Sequence, residues 1–418
     1  MEGSEEPWRS PLLANSHMGS KSIGFFGGAM LLSNNLAGPT ISLMPALTHG
    51  AGWLAVLLAM GLLATVSGAC GLLLLVAMRR MPNNANFERR VEFADVLKFY
   101  MHPVGYAVAM LCYFAYLILT LMSYIIQTAQ VLDYVSLDLL GCAYGFELGP
   151  PVRGICGKQL DASSPFGDTA VFSFSFVVLA GICIPLAWKS LDDNVVLQWV
   201  AIIGLCVLAV VWLVFLAGRP GFPEPLPALR ASPDGWRELF AVSLFNFALM
   251  SALPSWANEK RPEVSVGWSL LLSMSFVVVL YSLLGIVGSL GLGASQRGNL
   301  FSELNASGST LNRLSVTAYP ILQNLTSIPV FSIFIKYNLM QLGWLDNTGA
   351  TLVAFALPWA CSIPLYTGKG FEEISNVGGL VFSSVVNFVV PVALGVLTLR
   401  QAPAKKAPHA FEASPDLL

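Results

Sequence analysis

The sequence predicts an all-α polytopic membrane protein of ten helices arranged as two inverted halves of five. Three observations predict it. Of 418 residues, 55% are hydrophobic and only 11% charged, with a mean hydropathy of +0.68; a soluble domain carries roughly 25% charged residues, so this chain cannot wet a globular surface of its size. Ten stretches reach the roughly 20 apolar residues that a bilayer core requires. Two of them, the first and the sixth, carry a polar residue at mid-depth and a helix breaker within the span. The same composition excludes disorder, which needs low hydrophobicity and high charge. A net charge of −2 excludes a nucleic-acid binder, which needs a basic face.

The spans fall at 23–47, 53–78, 103–133, 169–188, 194–217, 236–256, 265–292, 314–342, 348–366 and 375–399. Residues 1–22 form a polar tail, 23–399 the ten-helix domain with halves at 23–217 and 236–399, and 400–418 a second tail. No cleavable leader is expected before span 1, which is expected to act as its own insertion signal. Cytoplasmic loops retain Lys and Arg. With the N-terminus inside, fourteen of the 22 lie on the inner side and eight on the outer, so both termini are expected in the cytoplasm. The loop 134–168 is then outside, where an oxidising compartment permits a disulfide between Cys142 and Cys156; sequence alone leaves that pair and two unpaired thiols both open. The other five cysteines fall within spans as small packing residues. Asn305-Ala306-Ser307 is a glycosylation sequon in the outer loop 293–313, which makes Asn305 the glycan candidate. Asn324-Leu325-Thr326 lies inside span 8.

Backbone polar groups in hydrocarbon must be satisfied internally, so a broken helix at that depth survives only when it is buried in protein or lines a cavity. Span 1 reads Ser33-Asn34-Asn35-Leu36-Ala37-Gly38-Pro39-Thr40. Gly frees the backbone, and Pro removes an N–H and blocks the preceding turn. The segment predicts an interruption between Asn35 and Gly38; a kink with two packed asparagines is the bland alternative. Span 6 carries Asn246 at mid-depth and Pro254 in its inner half, a weaker signal. Its position strengthens it, because five spans precede it and the second half therefore runs inverted. Discontinuous helices at matching positions of inverted halves point to a secondary-transporter site. The fold expected is the 5+5 inverted repeat of the leucine-transporter type with spans 1 and 6 broken.

Polar stripes mark three other spans: Tyr113, Tyr116, Thr120, Ser123, Gln127 and Gln130 in span 3, Tyr319, Gln323, Thr326 and Ser327 in span 8, and Asn376, Ser383 and Asn387 in span 10. Such groups face the bundle interior, either as ligand contacts or as interhelical hydrogen bonds. The hydroxyls of Thr326 and Ser327 suit a hard cation. No Asp or Glu stands at the centre of a span. Asp133 reads as a solvated end residue and Lys336 as a snorkelling anchor. Proton coupling would need a titratable group, and the loop acids Glu88 and Glu92 are left open for it. A neutral interior must hold its ligand with backbone dipoles and amides, which favours a zwitterion, and Phe245, Phe247 and Tyr116 are candidate walls around its side chain. No cofactor is expected beyond a coupling ion. A channel would repeat pore motifs and a membrane enzyme would cluster His, Asp or Glu within its spans; neither pattern is present. An amino-acid sensor with little net flux shares the same site.

The run SNNLAGPTISLMPALTHGAGW (33–53) and the loop AMRRMPNNANFERRVEFADVLKFY (77–100) resemble the amino acid/auxin permease family of the amino acid, polyamine and organocation superfamily. NLTSIPVFSIFIKYNLM (324–340) and GGLVFSSVVNFVVP (378–391) extend the likeness. It implies secondary active transport of an amino acid, driven by protons or sodium, across a plasma membrane or a vacuole-type endomembrane. It further implies that the substrate carboxylate meets N–H groups of Leu36, Ala37 and Gly38, and that the amino group meets carbonyls of Ser33, Asn34, Phe245, Asn246 and Phe247. In sodium-coupled members the ion lies between spans 1 and 8, here Asn35 and Thr326 or Ser327. Many members have eleven helices and Gly-x-Gly in span 1, whereas ten spans and Gly38-Pro39 are found here.

Overall fold

The computed structural model describes residues 20–159, 164–167, 169–220, 222–223, 225–293, 300–343, 345–366 and 380–401. Fourteen helices are named in chain order: α1 Phe25–Leu36, α2 Met44–Ala51, α3 Trp53–Arg79, α4 Phe93–Tyr100, α5 Pro103–Leu140, α6 Phe174–Trp188, α7 Val195–Ala217, α8 Pro233–Asn246, α9 Leu253–Glu259, α10 Val266–Leu292, α11 Leu300–Ala306, α12 Thr310–Gln341 and α13 Asn347–Ser362, then α14 Leu380–Arg400. Seven spans among the described residues are long and apolar enough to cross a bilayer unaided: α3, α5, α7, α10, α12, α13 and α14. The 15-residue α6 and the two interrupted spans, α1 with α2 and α8 with α9, complete ten crossings. The chain therefore returns to the end at which it entered, and Ile23 pairs there with Lys260. The expected start of span 10 at 375, and Asn376 with it, lies outside the described residues.

Burial separates the faces of each span. In α7, Val196, Val200, Ile203, Val207, Val210 and Val214 are exposed at three- and four-residue spacing, while Gln198, Ile202, Leu205 and Trp212 are buried. The first stripe suits lipid and the second packs the bundle. α5 and α12 run along each other, and α10 packs on α1, α2, α3 and α7. At 38 residues, α5 spans about 57 Å at 1.5 Å per residue, well beyond a hydrocarbon core of about 30 Å.

That length corrects one expectation. Asp133 is not a solvated end residue but is 1% exposed, because α5 continues past it. Its carboxylate accepts hydrogen bonds from Ser173 and Tyr366. Beyond α5 the chain forms a three-stranded antiparallel sheet, ordered β2-β1-β3, from β1 Ala143–Glu147, β2 Arg153–Gly157 and β3 Val171–Ser173. Span 4 consequently starts as strand rather than helix until Phe174. Cys142 and Cys156 are joined by a disulfide, which pins β1 to β2. Lys336 is likewise not a snorkelling anchor: it is 1% exposed, and its ammonium donates to the carbonyls of Ala187 (3.2 Å) and Lys189 (2.9 Å).

Candidate functional site

Both breaks form, and they differ. α1 ends at Leu36, and a 3-10 turn begins at Pro39, so only Ala37 and Gly38 lie between. α8 ends at Asn246 and α9 resumes at Leu253, leaving Phe247 to Ala252 outside any helix. The Thr40 hydroxyl donates to Asn246 Oδ1 and ties one break to the other.

Side chains from neighbouring spans take up the freed backbone groups, as the bilayer demands. The Gly38 carbonyl accepts from Tyr281 Oη (3.0 Å) and Tyr319 Oη (2.7 Å), and the Asn34 carbonyl from Gln323 Nε2 (2.7 Å). At the other break, the Phe247 carbonyl accepts from Ser67 Oγ (2.7 Å) and the Met250 N–H donates to Asn387 Oδ1 (2.9 Å). Asn387 stands within a π-helical stretch of α14, Val385–Val389, a distortion common at functional sites.

Between the breaks lies a cavity of about 40 Å³ lined by Asn35, Leu36 and Gly38 of span 1, Phe245, Asn246 and Ala248 of span 6, Tyr116, Leu119, Thr120, Ser123 and Tyr124 of α5, and Phe331 of α12. No Asp, Glu, Lys, Arg or His lines it. Six expected site residues therefore meet: Asn35, Leu36, Gly38, Tyr116, Phe245 and Asn246. Ser33, Asn34, Ala37 and Phe247 are buried beside it without lining it. The N–H groups of Ala37 and Gly38 bond within span 1, to Ser33 (2.9 Å) and Leu36 (3.0 Å). By contrast, the amides of Ala248 and Leu249, and the carbonyls of Phe245 and Asn246, have no hydrogen-bond partner among the described residues.

The corner between spans 1 and 8 is built from amides. Asn34 Nδ2 donates to Gln198 Oε1 (2.6 Å) and lies 3.3 Å from Thr326 Oγ1, while Gln198 Nε2 donates to the Thr326 carbonyl (3.2 Å). Ser327 Oγ donates to the Gln323 carbonyl (2.8 Å). Asn35 Nδ2 turns back to the Leu31 carbonyl (3.1 Å) and shares no bond with Thr326 or Ser327. A sodium ion needs oxygens around it, and here an amide N–H points at the Thr326 hydroxyl. Asn34 Oδ1 and Gln323 Oε1 are buried in this corner without a hydrogen-bond partner among the described residues, and Asn35 does not join Thr326 and Ser327 there as the resemblance implies. Gln198 escaped the sequence reading although it was visible as an amide one turn inside an otherwise apolar span.

Two interrupted spans in corresponding positions of inverted halves, sharing one uncharged cavity, define an all-α polytopic membrane protein of the leucine-transporter fold. No protein-family profile matches the chain, and no curated protein matches it by sequence. By shape, 73 solved chains match. Among them is the crystal structure of MhsT in complex with L-phenylalanine, at a TM-score of 0.58 over 90% of this chain and 98% of that one, with 13% sequence identity.

Proposed function

We propose that this protein is a secondary active transporter of neutral amino acids, of the amino acid/auxin permease kind, working by alternating access around the cavity between the two breaks. The observation that carries this reading is the pairing of unspent backbone donors and acceptors with an uncharged lining. A zwitterion brings both of its own charges. Its ammonium group suits the C-terminal ends of α1 and α8, where helix dipoles are negative and the Phe245 and Asn246 carbonyls are unspent. Its carboxylate suits the N–H groups of Ala248 and Leu249, a departure from the span 1 donors that the family resemblance implies. Phe245, Tyr116, Tyr124 and Phe331 then enclose the side chain. The phenylalanine held by MhsT supports a substrate of this class.

The ion gradient that drives transport is in this reading a proton gradient, since Asn35, one of the three expected sodium ligands, turns back to Leu31 and stands apart from Thr326 and Ser327. The end of the bundle carrying the N-terminus faces the cytoplasm, in a plasma membrane or a vacuole-type endomembrane. The sheet-bearing end faces outward and carries Asn305, exposed on α11, as a glycan acceptor. Uptake of labelled neutral amino acids into proteoliposomes, under a proton gradient and then a sodium gradient, tests the proposal. Concentrative uptake with protons is expected. Failure to bind or accumulate any amino acid overturns it, and binding without accumulation would indicate a sensor.

A further inference from the structure

α9 is the half of span 6 that lies beyond the wide break, toward the N-terminal end of the bundle. It packs on α1 so tightly that a Cβ at Gly28 would run into the Trp256 indole nitrogen. Its other face docks on the segment entering α4. Asn258 clasps the Val91 peptide from both sides, accepting from its N–H (3.1 Å) and donating to its carbonyl (3.0 Å). Next to that clasp stands Glu92, 1% exposed. Glu92 Oε2 accepts from Ser255 Oγ (2.7 Å) and Oε1 from Asn258 Nδ2 (2.8 Å), so both oxygens meet α9, while as the N-cap of α4 the same carboxyl also accepts from the Asp95 N–H in a capping box. Glu88, the other loop acid left open by the sequence, is exposed.

A buried carboxylate normally has a cationic partner. Arg219 pairs with Glu303 and Arg313 with Asp138, neither near Glu92. The titratable groups facing it are Asp95 from α4, Glu259 from α9 and the Tyr113 hydroxyl from α5. Arg89 and Lys98 act on Asp95, and Arg90 acts on Glu259.

We propose that Glu92 is the proton-binding residue of the gate at the N-terminal end, protonated while α9 is docked on it and deprotonated when α9 swings away. The inference rests on the transport reading above and names the residue that makes its gate at the N-terminal end sensitive to pH, the proton being taken from and returned to that same side. In the docked state the proton sits on Oε2, which then donates to Ser255 Oγ instead of accepting from it, while Asn258 and the Asp95 N–H still donate to the carboxyl. When α9 leaves, water reaches the carboxyl and takes the proton, and the resulting carboxylate is solvated. Burial, opposed by the Ser255 and Asn258 hydrogen bonds and helped by Asp95 and Glu259, raises the Glu92 pKa from its ordinary 4.5 to about 8. A group whose pKa is raised in the docked state favours docking at low pH. Docking is fully favoured below about 4.5 and weakens as pH rises to about 8, by about tenfold in the docked-to-open ratio per pH unit.

The test reads the gate directly and needs no substrate. Spin labels on Asn86→Cys and Glu263→Cys, both at exposed positions on the two sides of the gate, report the distance across it in the full-length protein in nanodiscs. The expected result is an open fraction that grows with pH and levels off above about 8, a Glu92→Gln variant that stays docked at every pH, and a Glu92→Asp variant that regains the titration. A Glu92→Gln protein with the unaltered pH profile overturns the proposal, and so does a parent protein whose distance ignores pH. Should Glu92→Gln fail to fold, the parent titration and Glu92→Asp still decide. Failure of the transport reading shows separately, as absent amino-acid binding by the parent protein.

Discussion

The two breaks solve one problem in opposite ways. Span 1 is cut over two residues, its amides turn back into its own helix, and its exposed carbonyl at Gly38 is met by two tyrosines from different helices. Span 6 is open over six residues, and it keeps free N–H groups at Ala248 and Leu249 while depending on a single asparagine to hold Met250. The tight break is held redundantly and shapes the cavity. The wide break is held thinly and supplies the bonding groups. A ligand that pairs with the wide break also stabilises it, which links binding to movement of α9.

Four substitutions sharpen or break this contrast. Gly38→Val should have the largest effect on transport. Gly38 has φ −86°, which any residue adopts, and a Cβ there meets only Asn246 Oδ1 at 3.9 Å. The added methyl groups would therefore fill the cavity rather than unfold the protein. Uptake is expected to fall at least ~100-fold, with binding lost and the melting temperature nearly unchanged, since about 2.7 kcal/mol of lost binding is a hundredfold. Normal uptake would mean that the break is only a kink.

Gly28→Leu should be the most destabilising change, because overpacking against Trp256 costs about 1–3 kcal/mol; a fall in melting temperature in detergent checks it. Asn387→Ala comes next. It strands the Met250 N–H at a cost of about 1–3 kcal/mol, and should lower both stability and substrate affinity. Tyr319→Phe should be mildest, since Tyr281 still serves the Gly38 carbonyl, and hydrogen bonds within membrane bundles average about 0.6 kcal/mol. Equal losses from Asn387→Ala and Tyr319→Phe would refute the distinction between a redundant and a thinly held break.

How much of this was legible in the sequence follows the same contrast. The span count was legible because apolar length is set by the bilayer, and the tight break because Gly38-Pro39 beside two amides is a covalent signal. The width of the other break was not. Nothing in Phe247 to Ala252 except its neighbour Pro254 resists a helix, and the segment stays open because Ser67 and Asn387, far away in sequence, take its backbone groups. Gln198 was missed and Asp133 misjudged for a related reason. Their roles come from partners on other spans, Thr326 and Asn34 for the first, Ser173 and Tyr366 for the second. Strand β3 was read as the start of span 4 because three residues, Val-Phe-Ser, carry no periodicity of their own; pairing with β1 decides them.

The most direct test of the central claim is a cryo-electron microscopy structure with a neutral amino acid that the uptake panel identifies. The ligand is predicted between the breaks, its carboxylate within hydrogen-bonding distance of the Ala248 and Leu249 amides and its ammonium group at the Phe245 and Asn246 carbonyls. Density for it elsewhere, or a segment 247–252 that closes into continuous helix with the ligand bound, would contradict the account.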